Sequence, residues 1–291
     1  MCRKKVFYQG TEGSYSHIVS GNFFGEGYEF VGLETFRDIF TKIGESDSSL
    51  AVIPVENSLA GSVFENFDLL NQFRAWIIGE SFYKVRHNLL GFRDPKLTTD
   101  QNIERVKKVF SHYKALEQCA DFFLKHPEIQ PVIYSDTAGA AKFVKENNDP
   151  SLAAIAGKEA AELYGLDILK SNLEDNQENY TRFFVIQSHK PKQLDFSKLN
   201  KCSLVFIVKH EPGSLLRVIE VFARHKYNLS KIESRPIHGK FFEYFFYMDF
   251  EFDLTDKNTF NLVIDEFAKY TQWHKIMGIY PSGKSMLDFD D

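Results

Sequence analysis

Between positions 6 and 187 the chain alternates short apolar runs with segments whose apolar residues recur every three or four positions. Val6-Phe7-Tyr8, Leu50-Ala51-Val52-Ile53, Val132-Ile133-Tyr134 and the runs 106–110 and 152–156 have the length and composition of buried strands. Phe36, Ile39, Phe40 and Ile43 lie at i, i+3, i+4 and i+7, so one helical face behind Thr35 is apolar. Ser62 and Glu65 form a capping-box pattern ahead of Phe67 and Leu70. Strand–helix alternation of this kind predicts an α/β region with a largely parallel sheet. Ligands of such folds bind at the carboxyl ends of strands, so the polar segments that follow strands become the places to look for chemistry.

A polar stretch, 188–200, contains Lys190-Pro191-Lys192 and reads as a linker. Beyond it the pattern changes. A strand over 202–209 precedes a helix bearing Leu215, Val218, Ile219 and Phe222 on one face. Strands over 229–235 and 241–252, a helix lined by Phe260, Val263, Ile264 and Phe267, and a strand over 273–280 complete a βαββαβ order, which is the ferredoxin-like pattern. The strand 241–252 is apolar on both faces: Phe242, Tyr244, Phe246, Met248, Phe250 and Phe252 on one, Phe241, Phe245 and Tyr247 on the other. Helices cover one face of such a sheet. The second set therefore predicts either a self-association surface or packing against the N-terminal region.

A length of 291 residues suits two domains. A net charge of −5 gives no basic stripe for nucleic acid, and no run of about 18 apolar residues is present to span a membrane. Cys2, Cys119 and Cys202 form neither a CxxC pair nor an even framework, so reduced thiols in the cytosol are expected, with Cys119 on an apolar helix face.

Four polar segments follow strands. Gly10 to Ser16 leads into a helix whose free N–H groups suit an anion, or is an ordinary turn. Pro54-Val55-Glu56-Asn57-Ser58, with Gly61, offers the neutral donors Asn57 and Ser58 and the carboxylate Glu56, or is a polar turn with caps. Ser111-His112 precedes Lys114 to Cys119; His112 is a candidate general acid or a structural histidine. In the fourth, Asn179, Thr181 and Arg182 stand before Phe183-Phe184-Val185-Ile186, and Arg182 can grip a carboxylate with two parallel hydrogen bonds.

Taken in order, the four segments resemble the prephenate dehydratase family. Its Pro-Ile-Glu-Asn-Ser pattern stands as Pro54-Val55-Glu56-Asn57-Ser58, its Ser-His-Pro-Gln-Ala-Leu pattern as Ser111-His112-Tyr113-Lys114-Ala115-Leu116 with Gln118-Cys119, and its Thr-Arg-Phe pattern as Thr181-Arg182-Phe183. The later part resembles the family's ACT regulatory domain through Gly213-Ser214-Leu215, Asn228-Leu229 and Glu233-Ser234-Arg235-Pro236.

The resemblance implies a two-lobed, periplasmic-binding-protein-like α/β catalytic region over 1–190, with one lobe at about 1–80 plus 181–190 and the other at about 81–180, then an ACT domain over 201–282. It implies decarboxylative dehydration of prephenate to phenylpyruvate in a cytoplasmic enzyme that needs no metal or cofactor. Thr181, Arg182 and Phe183 become the expected catalytic residues, with Arg182 on a substrate carboxylate, Thr181 donating to the leaving hydroxyl and Phe183 forming an apolar wall. Glu56, Asn57, Ser58 and Asn179 are expected to bind substrate. L-Phenylalanine is the expected inhibitor, at Gly213, Ser214, Leu215, Asn228 and Leu229, in a homodimer or homotetramer. Arogenate dehydration, or a non-catalytic small-molecule sensor, are the alternatives.

Overall fold

The computed structural model describes residues 3–46, 48–73, 75–237, 239–253 and 257–283. Cys2 lies outside the described residues. The first lobe runs β1 (Lys4–Gln9), α1 (Tyr15–Phe24), β2 (Tyr28–Leu33), α2 (Phe36–Gly44), β3 (Leu50–Asn57), β4 (Gly61–Ser62), α3 (Phe64–Gln72) and β5 (Trp76–Lys84). The second continues with β6 (Asn88–Gly91), α4 (Thr99–Glu104), β7 (Lys108–Ser111), α5 (Tyr113–Glu117), α6 (Ala120–Lys125), β8 (Gln130–Ile133), α7 (Thr137–Asn147), β9 (Leu152–Ala156), α8 (Lys158–Tyr164) and β10 (Asp167–Lys170). The chain then returns to the first lobe as β11 (Tyr180–Gln187). The C-terminal unit is β12 (Lys201–Ile207), α9 (Ser214–Arg224), β13 (Asn228–Pro236), β14 (Tyr244–Glu251), α10 (Lys257–Ala268) and β15 (Trp273–Tyr280), the expected βαββαβ order.

Each lobe has its own sheet, parallel where the sequence alternates strand and helix. β1 pairs in parallel with β2 and β3, and β7 with β8 and β9. The strands that carry the chain between lobes break the rule: β11 is antiparallel to both β3 and β5, and β6 is antiparallel to β9 and β10. The apolar pattern does not predict β2. It is an edge strand with little apolar alternation and a glycine at position 32, so hydrophobic periodicity gives it no signal.

Local signals set most helix starts. Thr35 caps α2 by accepting the Asp38 N–H, and Thr98 forms a full capping box with Gln101. Gly165, at φ 62, closes α8 in the left-handed conformation. The box expected from Ser62 and Glu65 does not form: α3 begins after Val63 without a side-chain cap. Ser62 instead donates to Glu233 in β13 and accepts from Lys231 Nζ at 2.8 Å.

The first lobe and the C-terminal unit share one sheet, which among the described residues has ten strands in the order β13-β14-β12-β15-β5-β11-β3-β1-β2, with β4 beside β3. The join is narrow: Gly278 in β15 pairs with Ile77 in β5. A Cβ at Gly278 would lie 2.5 Å from both the Ile77 carbonyl oxygen and Cβ, so a side chain there forbids the approach. The second apolar face of β14 is covered by this contact. Tyr247 is buried with its ring 5.2 Å from that of Phe67, in one core cluster with Phe40, Leu70 and Phe184, and Phe245 packs against that cluster. Packing on the N-terminal region therefore accounts for Tyr247 and Phe245, while Phe241 remains 92% exposed.

Candidate active site

A cleft of about 540 Å³ opens between the lobes, lined from the first by Ser14, Tyr15, Asn57, Thr181 and Phe183 and from the second by His87, His112, Gln118 and Asp136. β11 positions its centre. Side chains alternate along a strand, so Thr181 and Phe183 face the cleft. Arg182 and Phe184 face the opposite side, where Phe184 joins the core beneath α2 and α3.

The Thr181 hydroxyl is held by a chain of amides whose orientation follows from the backbone. Asn57 Oδ1 accepts the N–H groups of Leu59 and Ala60, at 3.0 and 2.9 Å. Its Nδ2 must therefore face β11, where it donates to Asn179 Oδ1 at 2.8 Å, Tyr180 O at 3.1 Å and Thr181 Oγ1 at 3.0 Å. Asn179 is fully buried and turns its own Nδ2 to Gln118 Oε1 at 3.0 Å. Thr181 Oγ1 is thus an acceptor toward Asn57, which leaves its proton for a group in the cleft. Asn57 and Asn179 position Thr181. Ser58 ties the ends of β3 and β11 together: its hydroxyl donates to Glu178 O and accepts from Tyr180 N, and it is not part of the cleft lining.

Arg182 does not reach the cleft, which corrects the carboxylate-binding role expected from its sequence. It is 6% exposed. Its Nε donates to Glu80 at 2.7 Å, its NH1 to Asp249 of β14 at 2.6 Å, and its NH2 to Tyr280 OH of β15 at 3.2 Å. Lys201 Nζ completes the cluster on Glu80 at 2.9 Å, and Ser203 Oγ donates to Asp249. Burial alone would lower the Arg182 pKa, but Asp249, Tyr280 and Glu80 raise it well above its ordinary value. Burial would likewise raise Asp249, yet Arg182, the Ser203 hydroxyl and Lys201 hold it below the usual aspartate value. Glu56 is also turned away from the cleft: it sits opposite Arg182 in the β3–β11 register, 3.6 Å from its NH1, and accepts from Lys231 Nζ at 3.0 Å. The residue following the Thr181 hydroxyl and the one preceding Asn57 thus both bind the C-terminal unit, a role that one-dimensional spacing does not reveal.

His112 lines the cleft and caps α5, accepting the Lys114 N–H; burial lowers its pKa. Cys119 is buried, as expected, but it stands between α5 and α6 instead of on the face of one helix, and burial pushes its thiol up. His87 is a cleft residue that the sequence pattern does not single out, and Gln118, which stands in the third polar segment with no role assigned to it there, links Asn179 to His87 Nε2, at 2.9 Å from the latter. Their separation by 31 positions leaves no local signal. Among the described residues no group of three or more His, Cys, Asp or Glu could hold a metal ion, and no helix is long and apolar enough to cross a membrane.

In the C-terminal unit a second cavity, of about 550 Å³, is lined by Ser214 and Leu215 together with Lys209, His210, Glu211, Tyr244 and Phe246. Gly213 supplies the left-handed N-cap of α9, at φ 81, beside that cavity. Asn228 and Leu229 begin the edge strand β13 and do not line it.

Residues 6–191 match the family model of prephenate dehydratase and residues 203–269 that of the ACT domain. The chain belongs to the prephenate dehydratase family. The Arabidopsis thaliana arogenate dehydratase/prephenate dehydratase 2 is 36% identical over 98% of this chain and 74% of its own length. The prephenate dehydratase of Methanocaldococcus jannaschii is 36% identical over 96% of this chain and 98% of its own. Among solved structures, one described as GqqA, a novel type of quorum-quenching acylase, has a TM-score of 0.82 at 30% identity, over 97% of this chain and 99% of that one. The prephenate dehydratase of Arthrobacter aurescens in complex with L-Phe shares the fold, with a TM-score of 0.81 at 23% identity over 96% of this chain and 90% of its own. As a member of the prephenate dehydratase family with an ACT domain, the protein is a carbon–oxygen lyase of the phenylalanine pathway.

Proposed function

We propose that the protein converts prephenate to phenylpyruvate, carbon dioxide and water. The observation that carries this reading is the Thr181 hydroxyl, whose oxygen accepts from Asn57 and whose proton is left for the cleft. As the ring becomes aromatic one carboxylate leaves as carbon dioxide, its bonding pair enters the ring, and the ring hydroxyl departs as hydroxide, which takes up a proton to become water. A donor aimed at the departing oxygen lowers the barrier, and Thr181 is that donor. Phe183 walls the site and excludes water, which strengthens the remaining polar contacts. With Arg182 turned away, the substrate carboxylates fall to the N-terminus of α1 and to Lys114. Ser14 caps α1, and its first turn carries no acidic residue.

The division we adopt is a catalytic region over 1–190, its lobes meeting near 80 and 181, and an ACT domain over 201–282. L-Phenylalanine is the proposed inhibitor, held where Gly213, Ser214 and Leu215 meet the cavity beside α9. A homodimer or homotetramer in the cytosol is the proposed working state; the buried free thiols Cys119 and Cys202 suit a reducing compartment. Arogenate is the second substrate to consider, since two plant relatives named as arogenate dehydratases are 35% identical over 95–96% of this chain.

The deciding assay is phenylpyruvate formation from prephenate, beside phenylalanine formation from arogenate, with and without millimolar L-phenylalanine. Turnover of prephenate is expected, and Thr181→Ala is expected to lower kcat by roughly 10²–10³ with the fold unchanged. Near wild-type turnover in that variant would remove Thr181 from the mechanism.

A further inference from the structure

The amide chain that orients Thr181 continues past Gln118. Asn179 presents Nδ2 to Gln118, so the Gln118 atom that meets it is Oε1. His87 Nε2 approaches the same oxygen at 2.9 Å. An oxygen that already accepts can be met only by a hydrogen, so His87 carries its proton on Nε2. Its Nδ1 lies 3.4 Å from Tyr15 OH, and that hydroxyl also reaches Arg86 O at 2.8 Å. The ring is 2% exposed, and the His87 backbone N–H is fixed by Glu174 Oε2 at 2.8 Å. Among the described residues Gln118 Nε2 has no hydrogen-bond partner, and Gln118 lines the cleft.

We infer that His87 is a positioning residue: its Nε2–H and the Asn179 amide together lock the Gln118 carbonyl, so that the Gln118 NH₂ is presented to the substrate beside the Thr181 hydroxyl. The inference rests on the dehydratase reading of the cleft and adds a second donor to it. Without the His87 donor one acceptor site of Oε1 is unfilled and the Gln118 side chain is held by Asn179 alone. Misplacement of about 1 Å in such a group can cost on the order of 10² in rate. Burial also lowers the His87 pKa, which favours the neutral ring.

The test is a cycle of variants in the full chain, with prephenate or arogenate as substrate. His87→Leu is expected to lower kcat by about 10–100-fold, and His87→Gln, whose amide can donate to the same oxygen, to restore most of it. In a Gln118→Met background His87→Leu should cost nothing further, because the two act through one amide. A kcat unchanged in His87→Leu, or losses that multiply in the double variant, overturns the inference. Nitrogen-15 spectra of the wild-type ring give a readout independent of turnover: hydrogen on Nε2 is expected, and an Nε2 without hydrogen overturns the inference even if every variant is inactive. Should the wild type dehydrate neither substrate, the dehydratase reading fails, while the ring spectrum still judges the positioning.

Discussion

Arg182→Met separates the two roles that the Thr-Arg-Phe segment suggests. In the folded protein Arg182 serves two buried carboxylates, Glu80 and Asp249, at 2.6–2.7 Å. Glu80 would keep Lys201 Nζ at 2.9 Å and the Gly283 N–H at 3.0 Å. Asp249 would keep the Ser203 hydroxyl but, among the described residues, no cation in contact with it. Removing one partner of a buried pair and stranding the other costs about 3–5 kcal/mol. Urea denaturation should show that loss in Arg182→Met. Adding Asp249→Leu should recover a large part of it, because no charge is then stranded in the interior. Thr181→Ala, one residue away on the other face of β11, should lose turnover with little change in stability. If Arg182→Met instead keeps its stability within about 1 kcal/mol and chiefly raises KM, Arg182 belongs to the substrate and its role as a buried tie between the units is refuted.

The same cluster fixes an acid limit. Because the folded pKa of Asp249 is depressed, its contribution is full above the unfolded value of about 4 and is lost as pH falls through that value toward the folded one. Urea midpoints should drop below about pH 4, and Asp249→Asn should flatten that fall; an equal acid slope in the variant would count against it. Gly278→Val should pry β15 from β5 through contact with Ile77, and calorimetry should resolve two transitions where the wild type shows one. L-Phenylalanine at millimolar concentration should raise the melting temperature and lower turnover; no change in either would dismiss the effector proposal.

Much of this molecule is written locally. The period-2 and period-3.6 patterns from Val6 onward specify strands and helices, the polar stretch 188–200 marks the change of architecture, and Thr35 and Gly165 act within a turn of themselves. The order of the four polar segments is enough to indicate the family. What sequence does not assign is direction. Thr181 and Arg182 are adjacent and both polar, yet a strand sends neighbours to opposite faces, and only the sheet on either side of β11 decides which face is cleft and which is interior. The same holds for Glu56 beside Asn57. Ser62 stands in a capping-box spacing but is taken by Glu233 and Lys231, residues some 170 positions away. A local signal loses to a tertiary partner that satisfies the same hydroxyl. Sequence alone therefore determined most of the elements, β2 excepted, and the chemistry available. The docking of β15 on β5, and the buried charges that join β11 to β14, decided which of those side chains face the cleft and which hold the two units together.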